Sequence, residues 1–157
     1  MQKVPIIFLF AISVLASCEE IKLHEHHANI SGKGWLASDS AKGSFNINDT
    51  TSNYRLYLVI RHKDAYQFNN IWLNVGLAAP GDSMYVQKIN FSLGSDASGW
   101  EGVGMGNIWE LRKPLNDLPQ QFRKSGTYQY SITQIMRENP LLGIMSVGLR
   151  VEKLQDW

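Results

Sequence analysis

Cys18 is the only thiol among 157 residues, and it follows Leu15, Ala16 and Ser17 directly. A cysteine reacts through its thiolate, so its surroundings decide what chemistry it can enter. Three of the four histidines fall within His24, Glu25, His26 and His27. Imidazoles bind transition metals, but a lasting site needs ligands that converge from a fixed scaffold with outer-shell support. A polar tract that reads as a tether offers no such scaffold, so no metal is expected. His62, the fourth, ends a strand pattern and reads as a core-edge or surface residue. Glu101, Glu110 and Glu138 could supply a carboxylate pair for glycoside cleavage, which needs about 5 to 9.5 Å between carboxyls. Nothing in their spacing selects a pair. No Gly-x-Ser-x-Gly elbow and no His-Glu-x-x-His motif is present. Gly102, Gly104 and Gly106 alternate, but a phosphate cradle needs glycines between a strand and a helix. Here they read as one face of a strand stripped of side chains for a close neighbour. The expectation is therefore a protein that is not an enzyme, with no catalytic residue, no cofactor and no small-molecule ligand.

The chemistry that remains is at Cys18. Lys3 gives a basic start, and Val4 to Leu15 carries no charge. A basic start, an apolar run and small residues before a cut describe a secretory signal peptide, and the run is short of the roughly 20 apolar residues a spanning helix needs. The order aliphatic, small, small, Cys resembles the bacterial lipobox. That resemblance implies a thioether diacylglycerol on Cys18, cleavage before it, and a further acyl chain (palmitate) on the freed amine. One fatty chain holds a protein only marginally, while two or three make a stable anchor. The expected organisation is a signal peptide over 1–17, a lipid-anchored tether over 18–33 and a folded domain over 34–157. Glu19 and Glu20, just behind the lipid site, resemble surface-export signals of envelope lipoproteins.

About 140 residues suffice for one domain with a real core. Fifteen Lys and Arg face fourteen Asp and Glu, a net charge of +1. No basic patch stands out, so nucleic acid is not an expected partner. Trp35 opens the folded part. Phe45 and Ile47 share a face, and Asp49 to Asn53 is a turn by composition. Tyr54 to Arg61 alternates as a strand, with Tyr54, Leu56, Leu58 and Ile60 facing one way. Asn70 to Leu77 is a second clear strand, and Pro80, Gly81 and Asp82 mark a turn. Tyr85 to Leu93 changes phase between Val86 and Ile89, which suggests a bulge. Thr127 to Gln134 and Ile144 to Leu154 complete the set, with one helical turn expected over Gln134 to Glu138. Apart from the helix of the signal peptide, the reading is an all-β antiparallel β-sandwich or jelly roll of about eight strands.

If the strands from Tyr54 and from Asn70 pair as a hairpin, Tyr57, Val59 and Trp72 lie together on the face away from the core. Arg55, Arg61 and Asn74 would flank them. Aromatics with arginine mark interface anchors, which makes the trio a candidate partner-binding patch. Trp72, Trp100 and Trp109 could instead serve as stacking platforms of a surface carbohydrate-binding module.

The run from Tyr54 to Arg61, followed by Tyr66 to Leu73, resembles the gliding-motility lipoprotein GldH family of Bacteroidetes. The run from Gln134 to Ile144 and then Val147 to Glu152 is similar to that family's other recurrent block. Trp35, the turn at Asp49, Thr50 and Thr51, and the strand of Gly102, Gly104 and Gly106 also fall where the pattern has them. Met145 and Ser146 depart from it, standing where an acidic residue is expected. The resemblance implies an outer-membrane lipoprotein required for gliding and coupled to type IX secretion. Its partners would be the membrane, through the lipid on Cys18, and envelope proteins of the gliding and secretion apparatus. The periplasmic or cell-surface side is left open, and Cys18 is the one functional position the family pattern transfers.

Overall fold

A computed structural model describes residues 23–154. The signal segment, its expected helix and Cys18 lie outside these residues. Eleven strands are described: β1 Leu23–Asn29, β2 Ala41–Ile47, β3 Tyr54–Lys63, β4 Asn70–Ala78, β5 Tyr85–Ser92, β6 Gly94–Ser95, β7 Gly99–Trp100, β8 Val103–Met105, β9 Ile108–Pro114, β10 Gly126–Gln134 and β11 Ile144–Lys153. One sheet runs β1-β11-β3-β9-β8 and the other β2-β10-β4-β5. The eight longer strands pair first with last, second with seventh, third with sixth and fourth with fifth, all antiparallel. That is one long hairpin of strand pairs wrapped into two facing sheets, the jelly-roll arrangement.

Alternation drives each strand into place. On β3, Leu56, Leu58 and Ile60 point into the sandwich, opposite Leu73, Val75 and Ile132 of the other sheet, and all are buried. Phe45, Tyr54, Phe122 and Tyr128 form an aromatic cluster with ring centroids 4.7 to 5.6 Å apart. This cluster closes the end of the sandwich where β1 begins, here called the base. Loops 48–53, 79–84 and 115–125 hang from the base. The opposite end, the tip, carries loops 30–40, 64–69 and 135–143 and the β8–β9 hairpin.

Three expectations are corrected. The stretch read as tether includes β1, which pairs with β11 from Leu23↔Glu152 to Asn29↔Ser146, so the described domain starts at Leu23 and not near residue 34. Its polar composition fits an edge strand: His24 and His26 point inward, with His26 Nδ1 3.0 Å from the Tyr130 hydroxyl, while Glu25 and His27 point outward. The histidines therefore do not converge. β5 has no bulge, because its register with β4 is unbroken; Val86 simply lies on the outer face. Residues 135–140 form no helical turn. Gln134, fully buried, donates from Nε2 to the Trp35 and Glu138 carbonyls and accepts the Met136 amide. Those bonds occupy the loop's backbone groups in place of a helical ladder.

Candidate functional site

The structure does not bring the expected docking trio together. Tyr57 and Val59 lie on β3 and Trp72 on β4, in opposite sheets. β3 and β4 are consecutive in sequence, yet β3 pairs with β11 and β9 while β4 pairs with β10 and β5. Val59 has no exposed surface at all. It sits in a row with His27, Gly148 and Arg112 on the outer face of its sheet, where longer neighbours cover it. Trp72 is half-exposed, but the Lys88 ammonium lies 5.0 Å over its ring.

The two other candidate platforms, Trp100 and Trp109, are half-buried and hold partners of their own. Trp100 and Trp109 both donate their indole N–H to one Asp64 carboxylate oxygen, at 3.0 and 3.2 Å. Trp100 also packs edge-on against His62, centroids 4.5 Å apart. His62 is fully buried; desolvation lowers its pKa, and Nδ1 donates to the Lys63 carbonyl. Trp109 lies over Gly104, where a Cβ would come within 3.0 Å of the ring. At Gly102 a Cβ would meet the Glu110 carbonyl at 2.2 Å. Gly102 and Gly104 thus admit close neighbours, but Gly106 has nothing within 4 Å and sits in the turn after β8 at positive φ, so the three do not line one strand face as expected. Glu101 is paired with Lys113 at 2.6 Å, and that bond holds its carboxyl below the usual range. A general acid would need the opposite shift.

What the outer face of the larger sheet does present is charge around an apolar notch. Glu25 on β1 is its hub: Oε2 accepts from Arg150 at 2.8 Å and lies 3.7 Å from Arg112, and Oε1 is 2.7 Å from His27. Burial pushes this carboxyl up, but Arg150 and then His27 and Arg112 outweigh it and hold it low. Arg150 is also paired with Glu152, and Arg61 meets Glu110 at 2.6 Å. The register sets Arg55, Arg61, Lys63, Arg112 and Arg150 on this face against Glu25, Glu110 and Glu152, an excess of cations.

At the tip, Val103, Met105, Ile108 and Met145 line a groove of about 400 Å³ beside the Arg61–Glu110 pair. Val103 is 75% and Met105 81% exposed, high for apolar side chains. The Gly106–Asn107 turn, with Gly106 at φ 64, presents both on one side of the hairpin. Sequence reasoning missed these four residues. Two signals pointed there: Val103 and Met105 alternate with glycines, and Met145 replaces an expected acid. Its apolar side chain extends the groove.

The model of the GldH lipoprotein family matches residues 22–151. A gliding motility lipoprotein GldH homolog of Christiangramia forsetii is 27% identical over 154 residues, spanning 94% of this chain and 93% of its own. The gliding motility lipoprotein GldH of Flavobacterium johnsoniae is 24% identical over 155 residues, spanning 94% of each. Among solved structures, the insecticidal delta-endotoxin Cry8Ea1 of Bacillus thuringiensis superposes with a TM-score of 0.42 at 15% identity, over 74% of this chain and 18% of its own. The VP2 subviral particle of infectious bursal disease virus gives 0.34 at 12%, over 84% and 30%.

Proposed function

This chain belongs to the GldH lipoprotein family, and from that premise we propose that it is an outer-membrane lipoprotein required for gliding. It acts as a non-enzymatic binding and assembly subunit coupled to the type IX secretion and gliding machinery. The lipid on Cys18 holds it to the membrane. The observation that carries the binding role is the tip groove: four apolar side chains, two of them almost fully in water, beside a sheet face with surplus cations. Such a surface fits an envelope protein that brings apolar side chains to the groove and carboxylates to the arginines. The alternative, a surface carbohydrate-binding module, would rest chiefly on Trp72, since the half-buried Trp100 and Trp109 rings are already engaged by His62, Gly104 and Asp64.

The test is Met105→Glu together with Val103→Asp in a gliding host. Both side chains are solvent-exposed, so the variant should reach the membrane at the normal level. Spreading on agar should be lost, and a photocrosslinker at position 105 in the otherwise unchanged chain should capture one component of the gliding apparatus. Full spreading by the double variant would refute the assignment of the tip as the docking site.

A further inference from the structure

We infer that the base of the sandwich rests on the lipid bilayer, with Leu118 and Tyr85 entering the interfacial layer, so that the tip projects away from the membrane. This placement rests on lipid attachment at Cys18. Only five residue steps separate Cys18 from Leu23, the first residue of β1. A chain of that length reaches about 17 Å even when fully extended. The starting end of β1 therefore lies within that distance of the lipid attachment point, whatever path the intervening residues take.

The base is the end that β1 starts from. Leu23 lies beside Glu152, and Glu152 beside Arg55. The base loops are tied to these strand ends and to each other: Leu154 N–H donates to the Asn53 carbonyl, Tyr54 N–H to the Gln120 carbonyl, Gln121 to the Thr51 carbonyl, and Lys124 pairs with Asp82 at 2.6 Å. The base thus moves as one piece with the strand that the anchor holds. β3, ten residues long, separates base from tip by about 30 Å. An anchor that short brings the base, and not the tip, down to the lipid.

The chemistry of the base suits that position. Leu118 is 77% and Tyr85 73% exposed, and Met84 and Val86 beside Tyr85 are also in water. Tyr85 and the loop residues Asn116 and Gln120, on either side of Leu118 in sequence, line one crevice that opens between the sheets over Leu56, Val75 and Leu149. An apolar rim with a tyrosine is what sits well at headgroup depth. The other surface that the tether could bring down is the outer face of the five-stranded sheet. Its Glu25, Arg112 and Arg150 lattice would have to give up water against lipid, which opposes that orientation. At the base the cations Arg123, Lys124 and Lys153 are balanced by Asp49, Asp82 and Asp117, and two of these pairs are formed, Lys124–Asp82 and Lys153–Asp49. The contact is therefore apolar and owes little to anionic lipid.

The test uses the full lipidated chain in vesicles of phosphatidylethanolamine and phosphatidylglycerol, and in vesicles of phosphatidylcholine. Leu118→Cys and, separately, Met105→Cys are labelled with a nitroxide, the native thiol being consumed by lipid. Both positions are exposed, so neither label disturbs the core. In both vesicle types the label at 118 should lose accessibility to a water-soluble nickel chelate and gain accessibility to oxygen. The label at 105 should keep its nickel accessibility. Equal nickel accessibility at 118 and 105, in protein that floats with the vesicles, overturns the placement while leaving the anchor intact. Protein that does not float with the vesicles overturns the anchor, and the placement with it. Protection at 118 only with the anionic vesicles overturns the apolar contact.

Discussion

Replacing Glu25 by Gln removes the charge at the centre of the outer-face lattice while keeping nearly the same shape. The carboxylate takes a charge-assisted bond from Arg150 at 2.8 Å and sits 2.7 Å from His27. Each such bond contributes about 1.5–3 kcal/mol when buried. The Glu25 side chain keeps 23% of its surface in water, so solvent screening pulls both bonds toward the 0.2–1 kcal/mol typical of exposed pairs. The expected loss for Glu25→Gln at pH 7 is therefore about 1–2 kcal/mol, read as a lower urea midpoint with unchanged slope. The pH dependence has a fixed sign. Arg150, His27 and Arg112 hold the folded-state carboxyl below its unfolded value, so between those two values the unfolded chain binds more protons. The stabilisation is complete above the unfolded value and is lost as pH falls through the folded one. The gap between wild type and Glu25→Gln should be widest near neutrality and should close as the pH drops below the ordinary carboxylate range. Equal midpoints at pH 7, or a gap that survives undiminished in acid, would refute the account of Glu25 as the hub.

Gly148→Ala should cost about 1–3 kcal/mol or more as overpacking, because its Cβ would meet the His26 carbonyl 2.1 Å away. Hydrogen exchange should localise the damage to the β1–β11 pairing. Gln134→Leu conserves volume but strips partners from the Trp35 and Glu138 carbonyls and the Met136 amide. Thermal melts should show a loss of about 1–3 kcal/mol, with loop 135–143 loosened first. Cys18→Ala should leave the domain's melting temperature unchanged, since none of the contacts described within residues 23–154 involves it, but should release the protein from the membrane fraction. Complete retention in that fraction would make partner binding the real anchor.

The alternating strands were readable because side-chain direction in a strand repeats every two residues, a property of the local chain. Tyr54 to Arg61 and Thr127 to Gln134 announced their inner faces in this way, and the core follows them. Alternation says nothing about which strand lies next door. A hairpin of β3 with β4 satisfied every local pattern, yet the two strands belong to different sheets, and the Tyr57, Val59 and Trp72 patch dissolved with that hairpin. β1 was missed for the converse reason. Its polar residues carry no strand period that stands out, and it is a strand because β11 offers it a free edge. The tip groove was hidden likewise: Val103 and Met105 lie about forty residues from Met145 in sequence, and the order β11-β3-β9-β8 sets them around one notch.

Local order was enough to show one cysteine behind an apolar leader, an all-β domain after it, and the family the chain resembles. Each of these is written in local order: a run of apolar residues, a period of two, a string of matching blocks. Which faces meet water depends instead on how the strands pair and stack. The tertiary structure turned an expected aromatic patch into a lattice of arginine and glutamate, moved the exposed apolar surface to the tip and the base, and set the base at the end where β1 starts. The physical reason is that pairing first strand with last joins residues more than a hundred positions apart, and no local pattern records that choice.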